Sequence, residues 1–288
     1  MDLGAGFPQQ AIGTDVGSLR DYVQAIEALG YKHLRVADHV LGADPEQHSL
    51  EGPYTHHAIF HEPFVVFGYV AALTSKIRLV TSVLILSQRQ TALVAKQAAE
   101  IDLLSEGRLE LGIGSGWNTV EYEALGVEYA TRGPRIDEQI LLLRRLWEEP
   151  SVNFEGEFHL VRHAGINPLP KQQIPIWMGG YANVMMDRTG RLGDGWLVPP
   201  RFHSPKGFLP RKERILAAAE KSGRDPSTIG FNLSVSTKGK DVDEQLRRAE
   251  LWRNMGATRF TISSNTSGLA TVDEHILALR QFKEAYTE

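Results

Sequence analysis

Short apolar runs and amphipathic stretches alternate from end to end of this chain, and that alternation restricts its folding more than any single motif. The runs cover residues 3–7, 33–38, 77–86, 108–113, 174–178, 195–198, 230–236 and 259–263. Each is followed by helical spacing of apolar residues. Leu19, Val23, Ile26 and Leu29 behind a Ser18 cap are one case, and Ile276, Leu279 and Phe282 near the end are another. A strand followed each time by a helix has to pair in parallel, because parallel neighbours need a crossover connection. Such a series closes most naturally as a (β/α)₈ TIM barrel, with an open doubly wound sheet as the alternative.

Two segments exceed the basic unit. Residues 41–61 follow the second run and carry His48, His56, His57 and His61. After the fourth run come helical stretches at 120–125 and 135–147, then a hairpin at 152–161 around Glu155-Gly156. No linker-like change of composition divides the chain. These segments therefore read as insertions after strands two and four of one barrel domain, residues 1–288.

Thirty-one basic residues stand against 35 acidic ones, for a net charge of −4. That balance argues against a nucleic-acid or anionic-membrane partner. The chain has no cysteine, which excludes disulfides, thiolate nucleophiles and cysteine-ligated metal or iron–sulfur centres. Met1-Asp2-Leu3-Gly4 lacks the basic start of a secretory signal. No apolar run approaches the ~20 residues of a membrane span, and a cytoplasmic location is the expectation.

Chemistry on a barrel of this kind belongs at the C-terminal ends of its strands. Asp38-His39 is the most chemical pair there. A histidine with a pKa near neutrality can take a proton from a substrate hydroxyl, and it can equally be a structural group bonded to a nearby loop. Gly112, Gly114 and Gly116 alternate along strand four, but Trp117 stands where a dinucleotide fingerprint needs its third glycine. Those glycines either relieve crowding or let backbone approach a planar ligand. Gly179-Gly180 ahead of a helix reads as a phosphate-binding turn or a plain tight turn. Trp117 and Tyr54 offer apolar walls for a planar substrate, or simple packing. His57 and His61, four apart, could face one metal on a helix, yet no further metal spacing accompanies them. The loop reads as a lid, and no metal site is assigned.

Taken in order, several stretches resemble the luciferase-like flavin superfamily, and within it the compact deazaflavin (F420)-dependent oxidoreductases. They are Val36-Ala37-Asp38-His39-Val40, Leu79-Val80-Thr81-Ser82-Val83, Ser105-Glu106-Gly107-Arg108, and Gly112 to Trp117. To these add Glu121 to Gly126, Arg132 to Glu138, Ile174 to Gly180, and Gly193-Asp194-Gly195-Trp196. The resemblance implies a TIM barrel with the cofactor at its C-terminal mouth. It also implies a non-prolyl cis peptide at Ser82–Val83 beneath the ring. Asp38 would lie near that ring, and His39 would match a catalytic base. Gly114, Ser115, Gly116 and Trp117 would contact the cofactor, as would Gly179, Gly180, Tyr181 and Ala182. The sugar-phosphate branch carries a catalytic Glu just past its strand-four glycines. Here Trp117 and Asn118 occupy that neighbourhood, which argues against glucose 6-phosphate as substrate. The expectation is hydride transfer between F420 and a small organic substrate, in a homodimer. The alternatives are an FMN-dependent monooxygenase, a metal-dependent barrel hydrolase and a non-catalytic flavin-binding barrel.

Overall fold

The computed structural model describes residues 1–49, 52 and 54–286. The lid expected at 41–61 thus lies partly outside the described residues. The barrel strands are β1 (Asp2–Gly6), β2 (His33–Val36), β3 (Arg78–Thr81), β4 (Leu109–Gly114), β5 (Ile176–Gly179), β6 (Gly195–Leu197), β7 (Gly230–Ser236) and β8 (Arg259–Ser263). All pair in parallel, β1 joins β8, and the Leu79↔Leu109 register of β3 on β4 completes the ring. The sheet is closed, and the doubly wound alternative is overturned.

The outer layer follows the apolar periodicity. Tyr22, Phe67, Trp196, Phe208, Trp252 and Phe260 are fully buried between helices and strands. The ring's interior is polar instead. A Cβ on Gly4 would lie 2.0 Å from the His33 ring. That missing side chain lets His33 cross the barrel to Thr261 Oγ1 at 2.9 Å and Asn232 Nδ2 at 3.2 Å. Below it, Glu110 pairs with Arg259 and Arg78, Arg78 also holds Asp2, and the Arg259 guanidinium lies 4.2 Å from the Trp177 ring centre. Glu110, Arg259, Arg78 and Asp2 thus neutralise one another in place.

Several boundaries move. The first long helix spans Val16–Ala28, capped by Asp15 rather than Ser18, because the Asp15 carboxylate accepts the Ser18 amide at 2.7 Å. Pro63 opens the next helix, as its ring fits the first turn. The expected strand at 77–86 is broken into Arg78–Thr81 and Leu84–Ile85, with a cis Ser82–Val83 peptide between them. The helix expected at 135–147 begins at Arg132, since Pro134 sits in its first turn and blocks no helical hydrogen bond. The hairpin strands are Val152–Glu155 and Leu160–Ala164, longer than expected because Glu138 captures the amides of Glu157 and Phe158 in the connection. A short helix, Gln9–Ile12, was not legible in the sequence.

Candidate active site

The strand ends open into a cavity of about 810 Å³. Asp38, His39, Ser82, Val83, Gly114, Ser115, Gly116, Trp117, Gly179, Gly180, Tyr181 and Ala182 all line it. They differ in what they do there.

His39 follows the end of β2 and is nearly buried. Its Nδ1 lies 2.8 Å from Glu121 Oε2. The other Glu121 oxygen accepts the amides of Val40 at 2.6 Å and Leu41 at 3.2 Å. Burial pushes the Glu121 carboxyl up, but the His39 bond and those amides outweigh it and hold its pKa below the ordinary value. An ionised carboxylate only accepts, so Nδ1 carries the proton and Nε2 keeps a lone pair in the neutral ring. Nε2 has no partner among the described residues. The rings of Phe60, Tyr54 and Trp117 surround the imidazole at 4.9, 5.4 and 5.4 Å.

Asp38 lines the cavity, but its carboxylate is occupied. Arg89 Nη2 donates to it at 2.8 Å and the Ile85 amide at 3.1 Å, while Arg89 also holds Glu62. Burial dominates and raises its pKa in spite of Arg89. Asp38 thereby ties the end of β2 to the rim beyond the Ser82–Val83 peptide.

The glycines of β4 and β5 lie against tightly packed neighbours. A Cβ on Gly114 would stand 2.6 Å from Val83 Cγ2, and one on Gly179 would stand 2.4 Å from Val83 Cγ1. One on Gly112 would stand 1.9 Å from the Thr81 carbonyl oxygen. Gly112 relieves crowding against β3, and Gly114 and Gly179 make room for Val83 at the cavity wall. Gly180 differs, having φ +132°. It leads into the helix Asn183–Leu192, whose N-cap Ala182 offers no side-chain cap, so first-turn amides stay open to an anion. Arg132, stacked 3.7 Å over Tyr129, lines the same end of the cavity. Tyr181 is exposed, with Arg201 4.9 Å from its ring centre.

Three functional candidates escaped the sequence reading. Arg132 and Glu121 stand in the sequence only as parts of family stretches. Arg35 sits mid-strand and looks like an outward charge. Glu121 follows Asn118 by three residues, the spacing of a capping box. Asn118 does cap that helix, but Glu121 turns to His39 instead. Among the described residues no group of His, Asp and Glu gathers to hold a metal. His61 bonds the Gly13 carbonyl at 3.1 Å, and the His57 ring packs on His56.

A closed parallel barrel with a histidine–carboxylate pair and an open helix N-terminus at its C-terminal rim has the layout of a barrel enzyme. The match to the luciferase-like monooxygenase family runs over residues 3–283, and the chain belongs to that family of oxidoreductases. An uncharacterized Mycobacterium tuberculosis protein is 36% identical over 182 residues, 60% of this chain. The chain spans only 62% of that relative's length. An F420-dependent glucose-6-phosphate dehydrogenase from Kineococcus radiotolerans is 30% identical over 267 residues, 89% of this chain and 74% of that protein. In fold, the chain matches a Streptomyces bottropensis monooxygenase with a TM-score of 0.81 at 20% identity, over 99% of this chain and 98% of the other.

Proposed function

We propose that this protein is an F420-dependent oxidoreductase that moves a hydride between the deazaflavin and a small organic substrate, with His39 handling the accompanying proton. One observation carries it: the Nε2 of His39 is unpartnered at a cavity large enough for a cofactor, while its Nδ1 is held by an ionised Glu121. The Kineococcus relative supports the choice of cofactor.

The residues present fit such a group. The amides at 180–184 and Arg132 would hold an anionic tail, and Val83 on its glycine seat would back a flat ring. When bound, F420 supplies the ring carbon that takes or gives the hydride. In oxidation, His39 Nε2 removes the proton of a substrate hydroxyl, and in reduction the imidazolium returns it. Glu121 fixes the tautomer and stabilises the imidazolium. Tyr54, Phe60 and Trp117 exclude water from the ring. Their aromatic wall suits a substrate with an apolar body better than a hexose phosphate.

An FMN-dependent monooxygenase is the second reading, supported by the description of the matching family and by the Streptomyces neighbour. Titrating the protein with each cofactor, read by tryptophan quenching, separates the two. Tight F420 binding is expected, and tight FMN binding without F420 affinity overturns the choice. We also propose a homodimer. The helix Pro63–Leu73 is apolar nearly all round, yet Val65 is 73% exposed and Tyr69 39%, which supports a second copy covering it.

A further inference from the structure

A second cavity of about 390 Å³ lies on the barrel side of the first and shares Ser82, Val83, Gly179 and Gly180 with it. Among the described residues its lining contains no Asp, Glu or Lys, and Arg35 is its single charged side chain. Arg35 Nε donates to Ser82 Oγ at 2.9 Å, Nη2 donates to the same oxygen, and Nη1 has no partner among the described residues. Arg78, Arg89, Arg188 and Arg259 each hold a carboxylate, that of Asp2, Asp38, Asp137 and Glu110 respectively, while Arg108 spreads its donors over four main-chain carbonyls and the Thr74 hydroxyl. Among the described residues Arg35 holds no carboxylate. Burial alone pushes its guanidinium down to about 10. Gln10, on the same lining, leaves a buried Nε2 without a partner as well.

A half-buried cation without a described counter-charge costs stability, and the fold gains from it only the bonds to Ser82. A methionine would fill the same space without a charge. The missing partner is therefore to be sought in the ligand. A guanidinium with no lysine beside it matches the two oxygens of a carboxylate in its fork geometry. The remaining walls, Phe7, Phe60, Leu197 and Pro199, are apolar.

We propose that Arg35 is a substrate-binding residue: the barrel-side cavity takes a small organic carboxylate, with its carboxylate on the Arg35 guanidinium and its apolar body against Phe7, Phe60 and Leu197. This assignment rests on the oxidoreductase reading, because it gives the cavity next to the cofactor's to the substrate. It narrows the substrate class from small organic molecules to small carboxylic acids. Ser82 is a positioning residue here, since its hydroxyl orients the guanidinium.

Benzoate and its uncharged isostere benzamide are titrated calorimetrically into the full chain, with and without F420. The proteins are the wild type, Arg35→Met, Arg35→Gln and Arg35→Lys. Benzoate is expected to bind at least about tenfold more tightly than benzamide. Arg35→Met and Arg35→Gln should abolish that preference and Arg35→Lys should keep part of it, with F420 affinity held within about twofold. Arg35→Met should also melt at a higher temperature than the wild type, because an uncompensated half-buried charge is gone. The glutamine variant serves if the methionine variant fails to fold. No charge preference in the wild type overturns the proposal, and so does a preference that survives Arg35→Met. A tenfold loss of F420 affinity in Arg35→Met would assign the guanidinium to the cofactor and overturn it too. A wild type that ignores F420 defeats the oxidoreductase reading separately, since the benzoate preference is read in the cofactor-free protein.

Discussion

The Nδ1 of His39 and the Oε2 of Glu121 stand 2.8 Å apart across 82 residues of chain, with the carboxylate almost sealed from solvent. That bond sets which imidazole nitrogen faces the cavity. Glu121→Gln keeps the shape but can present its amide nitrogen to Nδ1, which reverses the tautomer. Turnover should fall roughly 10²-fold, within the range of general acid–base contributions, while the F420 dissociation constant changes little. His39→Ala should behave alike, and the two losses should not add, because they remove one unit. Steady-state kinetics beside cofactor titration checks this. Full turnover in either variant would leave His39 a structural group.

The same carboxylate should shape the acid limb of stability. Glu121, Glu138 and Glu27 all have pKa values below their ordinary 4.5. In each, burial works upward and is outweighed by hydrogen bonds. Glu121 is held by His39 and two amides, Glu138 by His159 and the hairpin amides, and Glu27 by the amides of Ser75, Lys76 and Ile77. A depressed carboxylate pKa means the unfolded chain binds protons first. Its stabilisation is complete above pH 4.5 and is lost as pH falls through the folded value. Asp38 acts with the opposite sign, because burial raises its pKa and acidification relieves it. Melting temperature should therefore drop below about pH 4.5, and Glu121→Gln should flatten part of that slope. A wild-type melting curve unchanged from pH 5 to 3 would refute it.

Crowding around Val83 gives a test that does not depend on the cofactor's identity. A methyl group at Gly179 would sit 2.4 Å from Val83 Cγ1. Gly179→Ala should destabilise by about 1–3 kcal/mol through overpacking. It should also weaken cofactor binding, because Val83 forms part of the cavity wall. Val83→Ala removes the opposing methyl groups, so the double variant should recover most of the loss. Urea unfolding of the four proteins closes the cycle. Additive effects would show that Val83 is free to move away.

How much could be read beforehand follows from what each residue answers to. Local periodicity and turn chemistry placed the strands, and parallel pairing followed from their alternation with helices, but only the Leu79↔Leu109 register closes the ring. The rim residues were found because they lie where β strands end. Ser18 lost its cap role to Asp15 because two capping residues stood three apart and only geometry chose between them. Glu121 hid behind a capping-box spacing, while its partner His39 sits just past the end of β2, 82 residues away. The glycines of β4 carried two readings because their neighbour, Val83, is distant in sequence. Arg35 resembled an ordinary strand charge, since nothing local tells inward from outward when the barrel interior is itself polar. Pairings between remote elements are invisible to one sequence, and the functional contacts are of that kind.

The exposed face of the helix Pro63–Leu73 offers the last test. Val65 is 73% exposed on a helix that also buries Phe64, Val66, Phe67 and Val70 against the barrel. A surface valine with so little contact inside its own chain should tolerate replacement within about 0.5 kcal/mol in a monomer. In a dimer seated on this face, Val65→Glu would bury an unpaired carboxylate, which costs far more. Light scattering should give a dimer for the wild type and a monomer for Val65→Glu. Far-ultraviolet dichroism and melting in dilute solution should be nearly those of the wild type. A wild type that scatters as a monomer removes the interface, and a variant that stays dimeric moves it to another face.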